Sequence, residues 1–186
     1  MSRLDLWKDP WPLDVGQCPC DVHFTRFLAE RGLSGQRIFH LGTGDHHHVG
    51  LQAPAGNHAV LGITATEPEY VSYIRLAVEN PHLGKFYKVL FSDIYQINPR
   101  LLPEFDIVTL FHLCEFWSQA NAPFAALDDR GVLEALSRKV RTGGLVLFYT
   151  GSFAYDAAAR LIPDWQAGTG FVEEPGYESL RIFRKT

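Results

Sequence analysis

Histidines crowd one stretch of this chain. Five of the eight fall between residues 40 and 58 (His40, His46, His47, His48 and His58), and His112 follows later beside Cys114 and Glu115. An imidazole titrating near neutrality can take a proton from a substrate hydroxyl, and several together can ligate a metal such as zinc. Side chains at consecutive positions do not share one helix face, so most of His46, His47 and His48 are expected to fill the loop or cap a helix. His46 and His112 remain the candidates for a catalytic base. Cys18-Pro19-Cys20 offers two more donors, but no second cysteine pair closes the half-site, and no metal ligand set is expected. Cys114 sits in an apolar run and reads as a buried, inert thiol.

These residues need elements to position them. Arg37–Leu41 reads as a buried strand running straight into Gly42-Thr43-Gly44. Further strands are expected at Ala59–Ile63, Tyr87–Phe91, Phe105–Phe111 and Leu145–Tyr149. Two last strands, Thr169–Val172 and Ser179–Phe183, lie close enough to pair as an antiparallel edge hairpin. Helical spacing predicts helices from Asp21 to Arg31 with Asp21 as N-cap, from Glu67 to Asn80-Pro81, from Asp129 to Arg141 and near Tyr155–Leu161. Gly143-Gly144 is expected to turn the third of these into the fifth strand. The first 20 residues, with Trp7, Trp11 and three prolines, read as an irregular arm against a single domain of residues 21–186.

Strands alternate with helices, and the central strands are continuous apolar runs. That predicts an α/β fold: a doubly wound, mostly parallel seven-stranded sheet with helices on both faces. Such sheets bind ligands beyond the carboxyl ends of their strands, where strand order reverses. The residues that belong there are 42–48, 64–67, 92–94 and 112–115.

Composition limits the partners. Of 186 residues, 17 are Lys or Arg and 21 are Asp or Glu, a net charge of -4 that argues against a nucleic-acid binder. No run approaches the roughly 20 apolar residues of a membrane span, and the N-terminus has no secretory apolar core, so no membrane partner is expected. Three cysteines are too few for a disulfide framework, which points to a reducing cytoplasm. Oligomeric state is not legible.

In their order and spacing these segments resemble the class I S-adenosylmethionine-dependent methyltransferases. The resemblance runs from about Asp21 to the C-terminus. It rests on Ile38-Phe-His-Leu-Gly-Thr-Gly44, on Asp93 ending the third strand, on Phe105–Phe111 and on Arg141-Thr-Gly-Gly-Leu-Val-Leu-Phe148. It implies a Rossmann-like fold with S-adenosyl-L-methionine as cofactor. The loop Gly42, Thr43, Gly44 would lie against the amino-acid and ribose part, an acid ending the second strand would hold the ribose hydroxyls, and Asp93, with Ile94 beside it, would take the adenine.

The chain departs from that pattern in three places. His40 stands where the family usually carries an acid, and His46 replaces the third glycine. The ribose acid falls at Thr64, with Glu67 as a substitute if Ala65-Thr66 bulges. The Asn/Asp-Pro-Pro-aromatic signature of nitrogen methylation is absent, and Phe111-His-Leu-Cys-Glu-Phe116 stands in its place.

The expected activity is therefore methyl transfer to a small-molecule acceptor at oxygen, with His112 or His46 as base where a hydroxyl needs one. Two alternatives stay open: a binding or regulatory protein on this fold without the activity, and a metal-dependent enzyme using the His46–His48 loop. A nicotinamide dehydrogenase is disfavoured, because Gly42-Thr-Gly-Asp-His-His47 does not complete Gly-x-Gly-x-x-Gly.

Overall fold

The computed structural model describes residues 9–120 and 122–186; Trp7 and the rest of the first eight residues of the expected arm lie outside them. Seven strands form one sheet: β1 (Arg37–Leu41), β2 (Ala59–Thr64), β3 (Tyr87–Phe91), β4 (Phe105–Thr109), β5 (Val140–Tyr149), β6 (Phe171–Tyr177) and β7 (Leu180–Lys185). Their order is β3-β2-β1-β4-β5-β7-β6. β1 to β5 pair in parallel, and β7 enters antiparallel between β5 and β6 as the second arm of the edge hairpin. The chain winds outward from β1 to β3, then returns to lay β4 beside β1. Strand order reverses there, and a cleft opens between the two carboxyl ends.

Side chains alternate between the sheet's two faces with the strand period of two. Phe39, Phe105, Val108, Val146 and Phe148 pack on one side against α4 (Asp129–Arg138) and α5 (Tyr155–Thr169). Ile38, Ile107, Leu145 and Leu147 pack on the other against α1 (Cys20–Glu30), α2 (His48–Gln52) and α3 (Glu67–Glu79). The predicted doubly wound sheet is the one observed.

Several local expectations are corrected. α1 begins at Cys20 with Pro19 as its N-cap, and no side chain caps it. Asp21 is instead buried, because its carboxylate has partners below the cleft. β5 starts at Val140, so Gly143 and Gly144 lie inside it and do not turn the helix into the strand. Gly143 has φ +79° beside an irregular β4/β5 register, and a Cβ at Gly144 would come within 2.6 Å of the Asp106 carbonyl oxygen. α5 runs on through Pro163 to Thr169, past the expected end at Leu161, and Gly170 at φ +71° follows it. β6 is correspondingly later, at Phe171–Tyr177. On α3 the apolar Val71, Ile74 and Val78 are exposed, whereas Glu69 and Tyr73 are buried.

His47 belongs to the core. Its Nδ1 accepts from the Tyr87 hydroxyl at 2.9 Å and its Nε2–H donates to the Glu69 carbonyl at 3.0 Å, so both nitrogens are satisfied in the neutral ring. Burial lowers its pKa from 6.5 to about 4. The unfolded chain therefore binds a proton that the native ring refuses. The stability this ring contributes is complete above pH 6.5 and is lost as pH falls toward 4. Chemical denaturation from pH 7 to pH 4 should show that loss in the wild type and a shallower one in His47→Asn, a residue suited to the left-handed backbone at this position (φ 46°). At pH 7, Tyr87→Phe should cost about 1–3 kcal/mol, because it leaves a buried ring nitrogen unpaired.

Candidate functional site

The β1–β4 cleft encloses about 920 Å³, within the size range of small-molecule sites. Gly42 and Gly44 form its floor with φ of +83° and +54°. Side chains occupy the space that the missing Cβ atoms leave. A Cβ at Gly42 would meet His112 Cδ2 at 3.1 Å, and one at Gly44 would meet His46 Nε2 at 2.4 Å and the Trp11 carbonyl oxygen at 2.8 Å. Thr43 turns away into the core and is buried.

The described part of the arm crosses this loop. The Trp11 carbonyl accepts from Asp45 N at 3.0 Å, and the Trp11 N–H donates to Glu69 Oε1 at 3.1 Å. The Trp11 ring meets Phe153, beyond β5, edge-on at 6.2 Å.

On the β2 side, Thr64 Oγ1 donates to Glu69 Oε2 at 2.6 Å. Both residues are buried and both line the cleft. Glu67 is exposed and outside the lining, so the carboxylate at the end of β2 comes from Glu69, in the first turn of α3. Burial raises the Glu69 pKa against the opposing hydrogen bonds from Thr64 and Trp11. Sequence reasoning missed this residue. Its only signal is a charged position that returns to the end of β2 once the helix begins at Glu67. At the end of β3, Asp93 and Ile94 reach the same cleft, and Asp93 Oδ1 accepts from Tyr95 N at 2.9 Å, capping a short turn.

The histidines do not act as one cluster. His48 Nε2 bonds Thr25 Oγ1 at 3.0 Å, and His58 Nδ1 accepts from Gln36 N at 3.2 Å, before β1 begins. His40 and His46 converge on Asp21, at 3.5 Å and 3.9 Å from its two carboxylate oxygens. Burial works against the Asp21 charge, but His40, His46 and His112 outweigh it and hold the pKa below the ordinary carboxylate value. His46 Nδ1 accepts from His48 N at 3.1 Å, so in the neutral ring the proton on Nε2 faces Asp21. Neither nitrogen is left to take a proton from a substrate.

His112 lies between a carboxylate and two thiols. Its Nδ1 donates to Glu115 Oε2 at 3.1 Å, and Glu115 Oε1 accepts from Ser152 Oγ at 2.6 Å. Its Nε2 is 3.9 Å from Cys20 Sγ, which is 3.4 Å from Cys18 Sγ. Burial opposes charge on His112, but Cys18 and Glu115 overcome it and push the pKa up to about 10. The hydrogen bond from Cys20, against burial and with help from His112, brings Cys18 down to about 5. One ring nitrogen is thus held by Glu115 and the other faces the sulfurs, so His112 as placed has no nitrogen turned freely toward a substrate hydroxyl. Cys114 stands apart from the two thiols, and burial and Asp129 push its pKa up to about 12.

No protein-family model matches the sequence, and no curated protein sequence matches it. Solved structures match through the fold. The [4+2]-cyclase SpnF superimposes with a TM-score of 0.60 at 18% identity, over 89% of this chain and 63% of that one. This chain thus spans less than two thirds of the cyclase's length. Magnesium protoporphyrin IX methyltransferase (ChlM) from Synechocystis PCC 6803, solved with bound SAM, gives 0.61 at 13% identity over 90% and 79%. A candidate rRNA-methylase from Clostridium thermocellum gives 0.60 at 12% identity over 94% and 100%. The chain has the Rossmann-like fold of the class I methyltransferases. Among the described residues, no helix is long and apolar enough to cross a membrane.

The packing of the loop is testable. Gly143→Ala meets open space and should cost only the left-handed backbone penalty, about 1–2 kcal/mol. Gly44→Ala must also displace His46 and the Trp11 backbone, adding about 1–3 kcal/mol of overpacking, so urea denaturation should find it clearly less stable than Gly143→Ala.

Proposed function

We propose that this cleft binds S-adenosylmethionine and that the protein transfers its methyl group to a small-molecule acceptor, at oxygen. The observation that carries the reading is the buried Glu69 carboxylate, bonded to Thr64 at the end of β2, in one cleft with Asp93 at the end of β3. Two carboxylates beyond adjacent parallel strands suit the hydroxyls of a ribose and the amine of an adenine. The residues present fit the group. Glu69 and Thr64 would hold the ribose, Asp93 the base with Ile94 packed beside it, and the turn at Gly42 and Gly44 the amino-acid part. Bound there, the cofactor supplies an electrophilic methyl group that a nucleophile takes by direct displacement.

The chain's own contribution would then be positioning and exclusion of water. Trp11 and Phe153 stand at one rim of the cleft, and His112 lines its floor beside Gly42. An acidic acceptor, already ionised near neutral pH, needs no base from the chain. The net charge of -4 weighs against a polyanionic acceptor, although the fold itself admits one.

A second reading, a binding or regulatory protein without transfer, is favoured by one observation: His46 and Trp11 fill the space against Gly44.

Calorimetric titration separates the two. The proposed function predicts binding of S-adenosylmethionine and S-adenosylhomocysteine, weakened about 10- to 100-fold by Glu69→Ala and by Asp93→Ala, the usual worth of a hydrogen bond to a charged group. Glu67→Ala should stay within twofold of wild type. Folded wild-type protein that takes up neither ligand at millimolar concentration overturns the reading and leaves the second.

A further inference from the structure

The two thiols and His112 come together in a way that the cofactor assignment does not use. Among the described residues, Cys18, Cys20 and His112 are the one group of three metal-capable side chains whose donor atoms all lie within 4.8 Å of one another. The sulfurs are 3.4 Å apart, and Cys20 Sγ is 3.9 Å from His112 Nε2. Tetrahedral zinc, with bonds of ~2.3 Å to sulfur and ~2.0 Å to nitrogen, sets its donors roughly 3.5–3.8 Å apart. The triad needs shifts of only a few tenths of an ångström along these two edges. A disulfide would need the sulfurs to close to about 2.05 Å.

The surroundings are also those of a metal site. The Glu115 carboxylate takes the Nδ1 proton of His112, which fixes the tautomer and leaves Nε2 as the donor toward the sulfurs. Ser152 holds the other oxygen of Glu115. The thiols are fixed from the backbone: Cys18 N donates to the Asp14 carbonyl at 2.7 Å, and Cys20 opens α1 directly after Pro19. All three donors line the cleft, so a fourth position can face it. By contrast, the loop His46–His48 is not assembled for a metal, because His47 and His48 turn to Tyr87 and Thr25.

We propose that Cys18 Sγ, Cys20 Sγ and His112 Nε2 form a three-ligand site for a thiophilic divalent cation, zinc by its ligand chemistry, with the fourth position open to the cleft. Two thiolates and an imidazole select zinc over magnesium or calcium, which prefer oxygen. Binding forms two metal–sulfur bonds and one metal–nitrogen bond. Any proton still on the sulfurs or on Nε2 goes to solvent, with no change of oxidation state. An open position beside Gly42 and His112 suits an acceptor hydroxyl or thiol. The site itself rests on the three side chains alone and stands whether or not the cleft binds a methyl donor.

The test uses the untagged full chain, purified reduced and without a metal column, then loaded with zinc or cobalt(II) and freed of excess. Elemental analysis should give one zinc per chain, and the cobalt form should show a thiolate-to-metal charge-transfer band. Cys18→Ser, Cys20→Ser and His112→Ala should each remove the stoichiometric metal. Glu115→Gln should weaken it about 10- to 100-fold, the usual loss for a carboxylate behind a metal-bound histidine. Cys114→Ser should leave it unchanged. Where a cysteine variant fails to fold, the cobalt spectrum of the wild type still decides. Absence of stoichiometric zinc, a cobalt form without the thiolate band, or two of the three thiols found oxidised in the native chain would each overturn the site.

Discussion

A buried carboxylate organises the centre of this molecule. Asp21 is 5% exposed, and an unpaired charge at such a place costs several kcal/mol. His40 on β1 and His46 in the glycine loop approach it from two directions, 3.5 Å and 3.9 Å from its two carboxylate oxygens. The two histidines that depart from the family's usual pattern thus face one carboxylate from α1. Gly44 then stays a glycine for two reasons, a left-handed backbone and a ring packed where its Cβ would be.

The arrangement ties the start of α1 to the switch point of the sheet. Cys20 Sγ lies 3.5 Å from Asp21 Oδ1, so the residues that anchor the helix also bring both thiols over the end of β4, where His112 waits. The arm continues across the glycine loop through Trp11 to Glu69. One face of the cleft is thus lined by carboxylates at the ends of β2 and β3, and the other by sulfur, imidazole and aromatic rings.

Much of this was legible in the sequence. Continuous apolar runs and their spacing predicted the parallel strands, and Gly42, Gly44, Thr64, Asp93 and Ile94 all reach the cleft because the ends of parallel strands share one edge. Glu69 was hidden because a charged residue in the first turn of a helix is ordinarily solvent-exposed, and Glu67 offered the same chemistry two positions earlier. The outward Val71, Ile74 and Val78 show the same limit: periodicity identifies a helix, but the packing of α3 on β2 and β3 decides which stripe is covered. The Cys18–Cys20–His112 triad was harder still. Cys20 and His112 are 92 residues apart, and only the path of the arm and α1 over the sheet joins them.

The most direct test of the account is a crystal structure of the reduced protein grown with S-adenosylhomocysteine. Density is expected in the β1–β4 cleft, with the ribose against Thr64 and Glu69 and the adenine beside Asp93 and Ile94. A well-ordered cleft in which Trp11 and His46 keep their places and no nucleoside density appears, or ligand bound elsewhere on the molecule, would contradict it.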